Sequence, residues 1–246
     1  MSLSLAVNLE ILALQGTAAI NGTGNSAANT LIGNSANNIL NGGAGADTMN
    51  GGGGNDTYVV DRAADRITEA AAAGTDRINS FVSFSLSANL EILALQGNAA
   101  INGIGNASAN TLIGNSAANV LDGGAGGRDL LTGQAGADLF RFSSRPSSFL
   151  TANADRLSDF NAGQGDRIRI SRAAFGITAS TASLTAVTTT AAQTTALATD
   201  ALFVYNSSNG ELLWNQNGAA AGAGTGGVLA VLSNQAPLTG GALQLV

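Results

Sequence analysis

Apolar residues along this chain follow neither the 3.6-residue period of a helix nor a long two-residue alternation. They recur every nine residues: Leu31, Leu40, Met49 and Tyr58, and later Leu112 and Leu121, then Leu131 and Phe140 after one inserted residue. In the same register stand Gly24, Gly33, Gly42 and Gly51, then Asn29, Asn38, Asp47 and Asp56. Two or three residues around each apolar slot suffice for a short strand that points one side chain inward. The small, glycine-rich remainder turns the chain, because glycine reaches positive φ without steric cost. A single nonapeptide cannot bury its apolar residue alone, whereas stacked turns can, so the pattern predicts a parallel β-solenoid that is cooperative along its stack.

A longer repeat contains the short one. Residues 4–45 and 85–126 align without a gap at an offset of 81, with 33 of 42 positions identical. The offset is nine nonapeptides. The second copy carries Gly105, Gly114, Gly123 and Gly133, and its polar slot holds Asn110, Asn119, Asp129 and Asp138.

Composition narrows the chemistry. The 246 residues, 45% hydrophobic, can build a real core, and only 11% are charged. There is no Cys and no His, and all ten basic residues are Arg. Disulfides, Cys- or His-ligated zinc, Ser/His/Asp and Cys/His catalytic sets, and lysine Schiff-base or P-loop chemistry are therefore excluded. A net charge of −6 argues against nucleic acid as a partner. No apolar run is long enough for a transmembrane segment. Met1–Leu5 has neither the basic start nor the apolar stretch of a cleaved signal peptide. Oxygen donors remain, and hard cations prefer them.

Residues 42–50 read Gly-Gly-Ala-Gly-Ala-Asp-Thr-Met-Asn and residues 51–59 read Gly-Gly-Gly-Gly-Asn-Asp-Thr-Tyr-Val. Both fit G-G-x-G-x-D-x-U-x, and in this the sequence resembles the RTX (hemolysin-type) calcium-binding family. The resemblance implies a parallel β-roll with Ca2+ between stacked turns, each loop supplying half a site. The candidate ligands are then Asp47 and Asp56 with the turns of Gly42, Gly43, Gly45, Gly51, Gly52 and Gly54. In the second copy they are Asp129 and Asp138 with Gly124, Gly126, Gly133 and Gly136. That copy is less regular: Arg128 is inserted before Asp129, and Gln134 replaces a glycine. Asn29, Asn38, Asn110 and Asn119 offer a carbonyl oxygen without charge. Asn38 and Asn119 stay among the candidates, yet turns of this kind are expected to be ion-poor, held by stacked amides or simply turned by Asn. A degenerate loop adds Asp61 or Asp65. Residues 155–170 are similar to the D-x-I-x-D-F-x-x-G-x-G-D-x-I segment that follows RTX repeats in secreted relatives. This adds Asp155, Asp159 and Asp166, each of which could instead be a turn Asp or a surface partner of Arg156 or Arg167.

The expected architecture is all-β: a β-roll over 1–142, with Leu139–Phe142 leaving the solenoid, then a smaller β-rich C-terminal domain over 143–246. Within the latter, a loop is expected at 178–188, a helix at 189–200, a hairpin joining Leu202–Tyr205 to Glu211–Trp214 through the turn 207–210, and a strand at Val228–Leu232. The apolar end Leu243–Val246 is similar to an uncleaved type I secretion signal, although Asn215, Asn217 and Gln244 depart from it. The resemblance thus implies export through a type I secretion apparatus and an extracellular location. Calcium would act as a folding switch outside the cell.

Three functions compete. The first is a secreted calcium-binding structural or surface protein. Met1 enters the repeat almost at once, so unless residues 1–14 form a cap, an open end invites a homo-oligomer, filament or lattice as in surface-layer proteins. The same features fit the C-terminal module of a larger toxin or enzyme. The second is an enzyme, which the missing His and the equivalence of Glu10 and Glu91 in the two copies disfavour. The third is an adhesin or ice-binding face, for which the Thr23 row is short because Ile104 replaces it in the second copy.

Overall fold

The computed structural model describes residues 1–146, 148–216 and 226–246; Asn217 lies outside them. The chain winds as a parallel β-roll. Successive nonapeptides contribute strands alternately to two faces, so one turn takes two nonapeptides. Gly22 pairs with Leu40, and Leu31 with Met49, eighteen residues on. One face is a continuous 13-stranded sheet. The other is formed by a four-stranded sheet, from Ile11–Ala13 to Arg66–Ile67, followed by a six-stranded one, from Phe84–Ser85 to Leu243–Leu245.

The apolar slot faces inward throughout. Leu31, Leu40, Met49, Tyr58, Ile78, Leu93, Leu112, Leu121, Leu131 and Phe140 are fully buried. Two rungs carry glycine in that slot. A Cβ on Gly22 would lie 3.1 Å from a Leu12 methyl and 3.2 Å from a Leu40 methyl, so neighbouring leucines fill the space.

Because 81 residues make nine half-turns, an odd number, the two sequence copies fall on opposite faces. Leu31 lies in the four-stranded sheet and its equivalent Leu112 in the 13-stranded sheet. The segment Asn8–Leu14 also meets two environments. Leu9 and Ile11 are 52% and 67% exposed at the first rung, whereas their equivalents Leu90 and Ile92 are packed against the preceding turns.

The strand Leu139–Phe142 does not leave the roll. It is hydrogen-bonded on both sides, to Val120–Asp122 and to Arg167–Ile170. The strands Asp155–Leu157 and Arg167–Ile170 extend the two faces, and the terminal strand Leu243–Leu245 pairs with the latter. The hairpin forms between Phe203–Asn206 and Glu211–Trp214, and Gly227–Leu232 pairs antiparallel with its second arm. The expected loop at 178–188 instead holds a strand, Leu184–Val187, parallel to Phe203–Asn206. The helix is shorter than expected, Thr190–Ala196, and starts where the Thr189 hydroxyl accepts from the Ala192 amide. The Trp214 ring anchors this region against Phe149 and Phe175.

Candidate metal centre

The residue before each strand sets the site. Its carboxylate reaches back one turn and accepts a backbone N–H from the same slot of the preceding turn, so slot residues form columns along the two edges of the roll. On one edge, Asp56 Oδ1 accepts from the Asn38 amide at 2.7 Å, Asp76 Oδ1 from the Asp56 amide at 2.7 Å, and Glu91 Oε2 from the Asp76 amide at 2.8 Å. Further along it, Asp129 Oδ1 accepts from Asn110 and Asp155 Oδ1 from Asp129. On the other edge, Asp47 Oδ1 accepts from Asn29, Asp65 Oδ1 from Asp47, Asp138 Oδ1 from Asn119, and Asp166 Oδ1 from Asp138.

One oxygen of each carboxylate is thereby used. The second oxygen of Asp47, Asp56, Asp76 and Asp138 is buried and meets no hydrogen-bond donor. In Asp47, Asp56 and Asp138 it folds over the first glycine of the same nonapeptide. A Cβ on Gly42 would lie 2.2 Å from Asp47 Oδ2, one on Gly51 2.0 Å from Asp56 Oδ2, and one on Gly133 2.4 Å from Asp138 Oδ2. The spacing of glycine and aspartate is therefore steric: the carboxylate occupies the volume that any side chain would take. The intervening turn needs positive φ at Gly43 and Gly45, +77° and +136°. Gly52, Gly54, Gly124, Gly126 and Gly136 repeat that conformation, and Gln134 adopts it at +69° despite its side chain.

Electrostatics follow from the stacking. Burial, opposed by the amide hydrogen bond and reinforced by the Asp76 charge, pushes Asp56 up to about 6. Burial likewise raises Asp138 to about 6, with Asp166 and Asp159 adding repulsion. Asp129 rises furthest, to about 8, through burial and then the Asp155 charge. Asp155 itself rises to about 6, mainly through burial. Asp47 is raised by burial and by the charges of Asp65 and Asp61, and burial raises Asp76 and Asp166. Rows of crowded carboxylates with orphaned oxygens are the donor set that a hard cation such as calcium takes. The residues fit the group.

Other candidates are placed differently. Asn38 and Asn119 use both ends of the amide: Oδ1 accepts from Asn34 and Asn115, and Nδ2 donates to the Ile20 and Ile101 carbonyls at 2.7 Å. Both oxygens of Asp159 accept from the amides of Gly133 and Gln134, at 2.9 and 2.7 Å. Asp166 Oδ2 accepts from Asn161, and Asp65 Oδ2 from Asp61 and Arg62. Asp61 keeps one oxygen without a donor. Three acidic residues in or beside the columns escaped sequence reasoning. Asp76 falls out of the nine-residue register because the turn from Tyr58 to its partner Ile78 takes 20 residues. Glu91 occupies the Asp slot of its rung. Glu69 stands eighteen residues after Gly51, where a glycine is expected.

A model of the RTX calcium-binding nonapeptide repeat matches this chain in four copies, over residues 23–58 and 125–143. The chain thus carries RTX calcium-binding repeats within a parallel β-roll. Among curated proteins no match was found.

Proposed function

We propose that this chain is an exported calcium-binding structural protein whose β-roll folds on meeting extracellular calcium. The observation that carries this reading is the set of buried, unsatisfied carboxylate oxygens on Asp47, Asp56 and Asp138, stacked turn on turn. Asp47, Asp56, Asp129 and Asp138 would hold the ions together with carbonyls of the glycine turns. Asp61, Asp65, Asp155 and Asp166 form the adjoining rungs. Bound calcium supplies the positive charge that lets carboxylates stack at strand spacing. Without it, like charges about 4.7 Å apart repel and oppose winding. Ion binding then contributes directly to folding free energy. Passage through a type I secretion apparatus belongs to this reading on the similarity of residues 155–170 to the segment that follows RTX repeats in secreted relatives. Among the described residues no helix is long and apolar enough to cross a membrane.

The test is far-UV circular dichroism during calcium titration of calcium-free protein. β signal that appears with calcium, and not with magnesium, supports the reading, since magnesium demands a small octahedral site and dehydrates reluctantly. Full β structure without calcium, unchanged on its addition, overturns it.

A second reading is self-association into filaments or a lattice. The exposed Val7, Leu9 and Ile11 on the first rung favour it. Light scattering recorded in the same titration rises with calcium if this holds. A Leu9→Lys, Ile11→Lys double variant then stays monomeric.

A further inference from the structure

From Ser2 to Ile67 the turns of the roll take 18 or 19 residues, and one turn in this half is longer. Between Tyr58 and its partner Ile78 the chain takes 20 residues, and at the place stacked on Gly51 it presents Glu69. In the turns one step earlier a backbone carbonyl occupies this place: a Cβ on Gly24 would sit 2.2 Å from the Gly42 carbonyl and one on Gly33 2.0 Å from the Gly51 carbonyl. At Gly51 the nearest atoms are those of the Asp56 carboxylate and the Tyr58 hydroxyl. The Glu69 side chain turns back instead, accepting from the Gly51 amide at 3.3 Å and from the Tyr58 hydroxyl. One carboxylate oxygen each from Asp56, Glu69 and Asp76 lies within 4.8 Å of the others. Asp56 and Asp76 are 1% and 0% exposed, and each keeps one oxygen with no donor, as does Glu69. Three carboxylates converge, and among the described residues no basic side chain forms a salt bridge with any of them.

We propose that Asp56, Glu69 and Asp76 form a distinct cation site, assembled from three side-chain carboxylates, and that it fills first. The inference rests on the calcium reading and deepens it. Three charges in one cage attract a divalent or trivalent hard cation more strongly than one carboxylate with carbonyls, because affinity in oxygen sites follows the charge count of the ligands. The two inserted residues are what let Asp76 keep its column while Glu69 swings inward. Filling this site would pin the irregular turn to the regular rungs before it and fix the register of all that follow.

Tyr58 provides the probe. Its hydroxyl touches Glu69, so a terbium ion in this site is sensitised by tyrosine excitation. Calcium-free full-length protein is titrated with terbium, and calcium is then used to compete. The expected result is tyrosine-sensitised emission that saturates with the first equivalent, is lost in Tyr58→Phe although terbium still binds, and needs at least about tenfold more terbium in Glu69→Gln. Asp200→Asn, at an exposed position outside the carboxylate columns, leaves the first equivalent unchanged. If Glu69→Gln does not fold at saturating calcium, Tyr58→Phe alone decides. First-equivalent emission that survives Tyr58→Phe, or a Glu69→Gln titration that overlays the wild type, overturns the site while leaving the calcium reading intact. Wild-type protein that binds neither ion overturns both.

Discussion

At the scale of single residues, the aspartate column explains why one atom decides a turn. Asn38 and Asp56 sit in the same slot. The asparagine amide satisfies itself by donating across the rung, whereas the aspartate leaves one oxygen unmet. Exchanging one for the other has opposite signs in two conditions. Asp138→Asn is expected to raise the urea midpoint of calcium-free protein, because a buried carboxylate is removed, and to lower calcium affinity measured by titration calorimetry. Gln134 is the complementary case. It holds φ +69° where the other turns use glycine, so Gln134→Gly is expected to stabilise the protein by up to about 1 kcal/mol in calcium, read from chemical denaturation. The glycine–aspartate spacing was legible in the sequence because the volume of a missing Cβ and a returning carboxylate fix it locally. Glu69 was not legible. Its role depends on which residue lies eighteen positions earlier and on a two-residue insertion that only the wound turn reveals.

Elements here are rungs, and the unit of stability is contact between neighbouring rungs. Each strand is only two to six residues long and gains little alone; its inward side chain and its ladder to the next turn hold it. Backbone approach between rungs is close enough that a methyl group is intolerable at some glycines. Gly33→Ala places a Cβ 2.0 Å from the Gly51 carbonyl, and backbone cannot move aside as a side chain can. We expect a loss of more than about 2 kcal/mol in calcium, measured by thermal unfolding, from this overpacking. The nine-residue period made the inward residues readable, from Leu31 to Phe140. The boundary near residue 142 was less readable. Beyond Phe142 the period breaks, with pairing offsets of 26 and 28 residues that carry excursions between rungs, yet the ladder continues. Period is a property of the turns, whereas pairing is a property of the strands, and long excursions erase the first without disturbing the second. The strand Leu184–Val187 was missed for a related reason: its Thr/Ala-rich sequence has little apolar pattern, and pairing with Phe203–Asn206 decides its form.

For the whole molecule, the raised carboxylates make stability depend on pH when calcium is withheld. Their folded values lie above the ordinary carboxylate value of 3.8, at about 6 for Asp56, Asp138 and Asp155 and about 8 for Asp129. The folded chain therefore holds protons more tightly than the unfolded chain. The corresponding stabilisation is fully present below pH ~4 and is lost as pH rises through about 6 to 8. Denaturation of calcium-free protein at pH 5 and pH 8.5 should give the higher midpoint at pH 5. In excess calcium the slope should flatten or reverse, because cation and proton compete for the same oxygens. An equal loss of stability with pH in both conditions would contradict this.

The odd number of half-turns between the two copies gives growth of this chain a parity. Gaining or losing two nonapeptides leaves every downstream residue on its original side. Gaining or losing one keeps every buried leucine buried and every turn a turn, yet exchanges front for back in all that follows. Thr30 and Ile32 flank Leu31 on one broad side, and their copies Thr111 and Ile113 flank Leu112 on the other. A single slip of nine residues during inheritance is thus silent to the core and conspicuous to whatever meets the surface. A slip of that size turns a face over in one step.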